Sequence, residues 1–193
     1  VAPSRGLGDV YKRQGIYGVK FLLYDEDRNP IGEFTSDDDG YVYITADDLP
    51  DGANTSGRFY LRELEAAEGY ILDKEYKTVY VRPGRTAEIE WVNEAITGQI
   101  QIYKYAAEAN PVTGVPAGTP LQGAVYEIIH ERSGRVVDYI TTDVRGVAAS
   151  KPLPLTRYKI REVTAPAYFQ LDPTVHDVTL EYAGQIIKIA AYD

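Results

Sequence analysis

Three ionisable residues fall on the apolar side of stretches that otherwise alternate between apolar and polar side chains. Successive side chains of a β-strand point to opposite faces of its sheet. By this alternation Lys104 shares a face with the isoleucines of "IQIYK", and Glu162 shares one with the tyrosine and isoleucine of "YKIRE". Asp193 shares a face with the isoleucines of "IKIAAYD" in the same way. The sequence therefore predicts a lysine, a glutamate and an aspartate inside one apolar core.

Together these three groups can form an amide. An unpaired buried charge costs several kcal/mol, so the three side chains are expected to meet. A low-dielectric core disfavours ionised forms, and a neutral amine is a nucleophile. Lys104 would attack the carboxyl carbon of Asp193, while a protonated Glu162 hydrogen-bonds the carbonyl oxygen and transfers protons. Contact between the reactants supplies the effective concentration that such a condensation lacks in water.

The strands that carry these residues belong to a repeat. Three blocks occur twice in the same order, which indicates two tandem domains: residues 18–44 match 123–149, residues 61–73 match 160–172, and residues 84–93 match 184–193. The match places Glu63 opposite Glu162 and Asn93 opposite Asp193. In the first domain Glu63 would have the same role, and ammonia would leave from Asn93.

The first repeat has no recognisable counterpart of the strand that carries the lysine. Its place is taken by "VAPSRGLGDVYKRQ", which has no strand periodicity and whose later part resembles translated adapter sequence. We therefore expect residues 1–14 to be a non-native or disordered leader, residues 15–96 an N-terminally truncated domain, and residues 97–193 a second domain with all its strands. Without the lysine, the first domain is expected to form no bond.

Composition favours an all-β fold and excludes nucleic acid as a partner. The chain has 17 tyrosines, 17 glycines and 11 prolines, and with plentiful Val, Ile and Thr this is typical of short strands joined by turns. With 20 basic and 29 acidic residues the net charge is -9, and no basic run could neutralise a phosphate backbone. No apolar run approaches the roughly 18 residues of a membrane span, so we expect no membrane contact. The absence of cysteine excludes disulfides and thiolate metal sites.

The sequence contains no motif for catalytic turnover. It has no glycine-rich phosphate loop and no HExxH element, and its two histidines, His130 and His176, stand far apart. The acidic turn "SDDDG" lacks the ligand spacing of a calcium loop. We therefore expect no enzyme activity beyond a single self-reaction, no cofactor and no metal.

Several segments together resemble a known family. The tandem blocks, the strand lysine, "RELEAAEGY", "REVTAPAYF" and the closing Asn or Asp look like the collagen-adhesin B-type family, also called SpaA-like or prealbumin-like pilin domains. These domains occur on surface proteins of Gram-positive bacteria. The resemblance implies two tandem small β-sandwiches of transthyretin-like or inverse-immunoglobulin topology. Domains of this family carry an isopeptide bond that joins a first-strand lysine to an Asn or Asp of the last strand.

The resemblance also assigns roles by position. It implies that Lys104 is the nucleophile, Glu162 the proton shuttle and Asp193 the acceptor, with Glu63 and Asn93 as shuttle and acceptor of the first domain. The sequence departs from the family pattern after the lysine, where Tyr-Ala stands in place of the usual acid two residues on. The family's "APxGY" turn is also divided between the two copies.

Three functional classes fit these features. The first is a covalently locked structural stalk or pilin-type module, in the cell wall or on the surface of a Gram-positive bacterium, whose partners are neighbouring domains of the same protein. The second is an adhesin module that binds host matrix protein or glycan through a loop such as residues 106–122. The third is an accessory domain of an enzyme. Tandem copies joined by the short linker "EAITG" favour the stalk.

Overall fold

Short strands joined by glycine- and proline-containing turns make up both halves of the computed structural model, which describes residues 4–6 and 15–193. The chain divides into two compact units, unit 1 at Val1–Ala95 and unit 2 at Ile96–Asp193. One short 3-10 helix, Ala46–Asp48, is the single helical element among the described residues. The predicted all-β fold is confirmed.

Within its described residues, 4–6 and 15–95, unit 1 contains six strands. They are β1 Ser4–Gly6, β2 Lys20–Tyr24, β3 Pro30–Thr35, β4 Gly57–Glu65, β5 Tyr76–Val81 and β6 Trp91–Asn93. Four of them form an antiparallel sheet in the order β3-β2-β4-β5, and β6 pairs in parallel with β1. Between these layers lies a core in which Phe21 meets Trp91 edge to face, with ring centroids 5.1 Å apart.

Unit 2 contains eight strands. They are β7 Thr97–Tyr105, β8 Val125–His130, β9 Val136–Thr141, β10 Val147–Ala149, β11 Leu153–Pro154, β12 Arg157–Thr164, β13 Val175–Thr179 and β14 Ile186–Tyr192. One sheet has the order β13-β12-β8-β9. In the other sheet β7 lies between β14, which is parallel to it, and β10 and β11, which are antiparallel.

The alternation of β7 explains why this strand can hold one side of the core. Every second residue from Gly98 to Lys104 is buried, and Ile100 and Ile102 are fully inaccessible to solvent. Burying one such aliphatic side chain stabilises the fold by about 1.5–3 kcal/mol. The same alternation carries the ammonium-bearing side chain of Lys104 into the apolar layer, as the sequence predicts.

The two units differ in the strand that pairs with the last strand of each unit. In unit 2 the nine-residue β7 lies beside β14, whereas in unit 1 the three-residue β1 lies beside β6. Apart from β1, the predicted leader 1–14 lies outside the described residues. Residues 85–90, which the repeat aligns with most of β14, are not assigned to a strand. Among the described residues, no helix is long and apolar enough to cross a membrane.

Candidate functional site

Three strands of unit 2 position the predicted cluster. Lys104 lies near the end of β7, and its register partner in the parallel strand β14 is Ala191. Asp193 follows two residues after Ala191, so its side chain points to the same side of the sheet. Glu162 comes from β12 in the facing sheet. The alternation of all three strands thus aims these side chains into one space between the layers.

The structure brings the three side chains into contact. The Nζ atom of Lys104 forms an ion pair with Oδ1 of Asp193 and lies 3.2 Å from Oε1 of Glu162. The Lys104 side chain is 0% exposed, and those of Glu162 and Asp193 are each 1% exposed. An amine and a carboxyl group are therefore held together in a site that excludes water.

Both carboxyl groups are shifted toward their neutral forms. Burial raises the pKa of Glu162, opposed by a backbone hydrogen bond and by the charge of Lys104. Burial also raises the pKa of Asp193, opposed by the hydrogen bond with Lys104. A carboxyl group with a raised pKa keeps a proton more readily, which suits Glu162 to donate a hydrogen bond or a proton.

A backbone amide fixes the orientation of Glu162. The N–H of Asp172 donates to Oε2 of Glu162 at 2.8 Å, which leaves Oε1 facing Lys104. The repeat pairs Asp172 with Asp73, and the N–H of Asp73 donates to Oε2 of Glu63 at 3.3 Å. The repeat aligns these two aspartates without indicating a role for either. The donors belong to the main chain, so the types of the two residues do not reveal them.

Tyr126 completes the wall of the site and was missed by sequence analysis. Lys104 Nζ lies 5.7 Å from the centre of the Tyr126 ring, a cation–π distance. The pKa of the Tyr126 hydroxyl is raised, first by burial and then by the negative charge of Glu162. Alternation in β8 does place Tyr126 on the same face as the buried Ile128. That signal reveals burial but not proximity to Lys104.

Unit 1 holds the corresponding acid and amide without a lysine. Nδ2 of Asn93 donates to Oε2 of Glu63 at 2.6 Å, and both residues are 1% exposed. In the register of β1 and β6, Ser4 lies beside Trp91, where the repeat places Lys104 beside Ala191. No lysine pairs with Glu63 or Asn93 within the part of the chain that the structure describes. The position that carries the amine in unit 2 is thus a serine in unit 1.

Comparison with known proteins follows the same division into two units. Residues 8–95 and residues 98–193 each match the SpaA family of prealbumin-like fold domains. The chain belongs to this family. The SpaA resemblance and the two tandem sandwiches inferred from the sequence are confirmed.

Individual relatives of this SpaA chain include surface proteins. The chain is 29% identical over 90 residues to a trypsin-resistant surface T6 protein of Streptococcus pyogenes serotype M6. That alignment covers 47% of this chain and 16% of the streptococcal protein, so the chain spans less than a sixth of its curated relative.

Solved structures with similarity to this chain include one from a bacillus and one from a streptococcus. The Bacillus anthracis TIE protein is 26% identical, with a TM-score of 0.46 over 99% of this chain and 32% of that one. A minor pilin of Streptococcus agalactiae is 18% identical, with a TM-score of 0.46 over 94% of this chain and 84% of that one.

Proposed function

We propose that this chain is a structural stalk module of a cell-wall-anchored Gram-positive surface protein, locked in unit 2 by an isopeptide bond between Lys104 and Asp193. The observation that carries the proposal is the buried contact of Lys104 with Asp193 and Glu162. Membership of the SpaA family supports it, as does the relative that is described as a streptococcal surface protein.

The bond forms by condensation of the two side chains. The ammonium of Lys104 first passes one proton to the carboxylate of Asp193. The resulting amine attacks Cγ of the Asp193 carboxylic acid and gives a tetrahedral intermediate. Burial raises the pKa of Glu162 and so favours its acid form. In that form Glu162 donates to the oxygen that gains charge and passes its proton to the departing oxygen. The hydroxyl of Asp193 leaves as water with the proton from Glu162, and Glu162 regains a proton from the nitrogen, which keeps one N–H in the amide. The reaction occurs once per molecule, so the chain has no turnover.

The bond changes how unit 2 bears load. The chain enters unit 2 through β7 and leaves it after β14, two parallel strands that lie side by side. Without a cross-link, a force along the chain acts on the hydrogen bonds between these strands. A Lys104–Asp193 bond carries that force directly and shields the 88 residues between them, which follows from their separation of 89 positions. Such a module resists extension, as a stalk must.

Peptide mapping tests the proposal. Trypsin does not cut at an acylated lysine, so a cross-linked chain should yield peptide 86–132 joined to peptide 189–193, with one water missing. Recovery of 189–193 as a free peptide, together with cleavage after Lys104, would contradict the proposal. Glu127→Gln provides a matched control, because Glu127 is buried but pairs with Arg161 instead of Lys104.

A further inference from the structure

The outer face of the four-stranded sheet of unit 1 carries arginine and tyrosine side chains. Strand alternation turns every second residue away from the core. On β4 and β5 the side chains that face outward include two arginines and three tyrosines, namely Arg58, Tyr60, Arg62, Tyr76 and Tyr80. Tyr76 is 39% exposed and Tyr80 is 63% exposed. This sheet therefore presents an aromatic and cationic surface on a chain whose net charge is -9.

Two guanidinium groups share the ring of Tyr76. Cζ of Arg28 lies 4.9 Å from the centre of that ring, and Cζ of Arg62 lies 5.5 Å from it. Neither arginine forms an ion pair with a carboxylate in the part of the chain that the structure describes. Two cations at one ring repel each other and attract an anion. The surface around Tyr76 thus has positive charge that this chain does not neutralise.

The turn between β2 and β3 holds Arg28 over the rings. Arg28 has a φ of 65°, which is uncommon for a residue with a side chain. Its N–H donates to the carbonyl of Asp25 at 3.1 Å, and Oδ1 of Asp25 accepts from the N–H groups of Asp27 and Asn29. The carboxylate of Asp25 is therefore used by the turn itself. The turn presents the guanidinium group of Arg28 to Tyr60, at 4.4 Å, as well as to Tyr76.

Unit 2 has an arginine at the same place but pairs it with an acid. The repeat aligns Arg62 with Arg161, which forms an ion pair with Glu127 of the neighbouring strand β8. In unit 1 the register partner of Arg62 on the corresponding strand β2 is Leu22. The position that neutralises the arginine in unit 2 is thus apolar in unit 1. The charge of Arg62 remains available to a partner.

The chemistry of this face favours an acidic protein segment as the partner. The donors of a guanidinium group match the two oxygens of a carboxylate. Tyrosine and arginine are also enriched among the residues that contribute most to protein–protein binding. A sugar would need an uncovered ring to stack on, whereas a guanidinium group already lies over each of Tyr60, Tyr76 and Tyr80.

We propose that the outer face of the unit 1 sheet binds an acidic segment of another protein, whose carboxylates pair with Arg28 and Arg62. Alternate side chains of an extended segment lie roughly 7 Å apart on the same side. Two acids separated by one residue can therefore reach the two guanidinium groups beside Tyr76. The proposal is independent of the cross-link in unit 2, because none of these residues belongs to the Lys104 site.

A fluorescein-labelled peptide, "EAEAEAEA", is the probe. Mixed with the full chain at low ionic strength, it should show saturable binding by fluorescence anisotropy. Binding should weaken as added salt screens the charges. The peptide "QAQAQAQA" has the same shape without the carboxylates, so it is the matched control and should not bind.

Single variants test which arginines bind the peptide. Arg28→Gln and Arg62→Gln should each weaken binding about fivefold, the upper range for an exposed ion pair. Leu22→Glu supplies the acid that unit 2 has at this position, so it should weaken binding as much as Arg62→Gln. Arg161→Gln removes the same charge from an arginine that is already paired, and it should leave binding unchanged. Unchanged emission of the buried Trp91 shows that the unit 1 variants fold.

Several results would overturn the proposal. No saturable binding at millimolar peptide, or equal binding of the neutral peptide, would show that the face does not recognise carboxylates. An equal loss of affinity in Arg161→Gln and Arg62→Gln would reduce the effect to net charge. Tighter binding of a sulfated oligosaccharide than of the acidic peptide would identify a polysaccharide ligand instead. Self-association in sedimentation that Arg62→Gln abolishes would identify a second copy of this chain as the occupant.

Discussion

Lys104 Nζ lies 3.2 Å from Glu162 Oε1, and both side chains are closed off from solvent. The two residues come from facing sheets, since Lys104 belongs to β7 and Glu162 to β12. A buried ion pair is weak evidence for stability, because desolvation offsets much of the attraction. Asp193 contacts the same amine, and the isopeptide bond proposed above would give this contact a chemical consequence as well.

Glu162→Gln should leave unit 2 without its cross-link. The variant lacks the carboxylic acid that moves protons, so its mass should match that of the unreacted sequence. Loss of a cross-link between residues 89 positions apart should lower the free energy of unfolding of unit 2 by roughly 4–5 kcal/mol in the chain-entropy model. Intact mass and urea unfolding followed by circular dichroism check both effects. A variant that still loses water would remove Glu162 from the mechanism.

Lys104→Met should make the stability of unit 2 depend on pH. The variant leaves Glu162 and Asp193 facing each other in the core, and burial raises the pKa of both carboxyl groups above their unfolded values. Such groups stabilise the fold when protonated, and this contribution is lost as pH rises through their folded pKa values. Unit 2 should therefore resist urea better near pH 4.5, the ordinary pKa of glutamate, than at neutral pH.

The double variant Lys104→Met/Glu162→Gln is the control for that measurement. It keeps the shape of the site but removes one of the two facing carboxyl groups. Its stability should change less between acidic and neutral pH than that of Lys104→Met. If the stability of unit 2 changed equally with pH in the two variants, the buried carboxyl pair would not control the pH dependence.

Glu63→Gln should flatten the pH dependence of unit 1. Burial raises the pKa of Glu63, so the parent unit should lose stability as pH rises from about 4.5 toward neutrality. Trp91 fluorescence during urea unfolding follows unit 1 alone, because Trp91 is fully buried there and is the only tryptophan. Glu65→Gln in the same strand is the matched control. Glu65 is exposed and pairs with Lys20. The stability of unit 1 in this variant should therefore change with pH as it does in the parent.

The loop at 106–122 tests the adhesin alternative. Val112 at its tip is 77% exposed, and the loop is tied to unit 2 by a hydrogen bond from Nδ2 of Asn110 to the carbonyl of Tyr168. The stalk proposal expects neither the parent nor Val112→Asp to bind immobilised extracellular matrix. Saturable binding by the parent that Val112→Asp abolishes would favour the adhesin function instead.

Sequence alone could predict which residues enter the core of unit 2. Strand alternation is a local property, so "IQIYK", "YKIRE" and "IKIAAYD" each reveal their inward-facing ionisable residue. The supports of the site could not be predicted in this way. Tyr126 reaches Lys104 because two sheets pack face to face, and the N–H of Asp172 reaches Glu162 because the loop after β12 returns to that strand.

In unit 1 the sequence pattern predicts a longer last strand than the structure contains. Its segment 84–93 alternates like its counterpart in unit 2, yet only β6 at Trp91–Asn93 is a strand. A strand needs a neighbour to satisfy its backbone groups, and β1 supplies one over three residues. Strand β1 pairs with β6 through its backbone. The leader has no alternation of side chains from which this pairing could be predicted.

The intact mass of the purified chain tests the central claim most directly. The account predicts a mass one water below that calculated from the sequence, with the missing water traced to Lys104 and Asp193. The parent should differ from Glu162→Gln by this water in addition to the substitution. A parent mass equal to the calculated one, in protein whose Lys104 and Asp193 are both intact, would contradict the account.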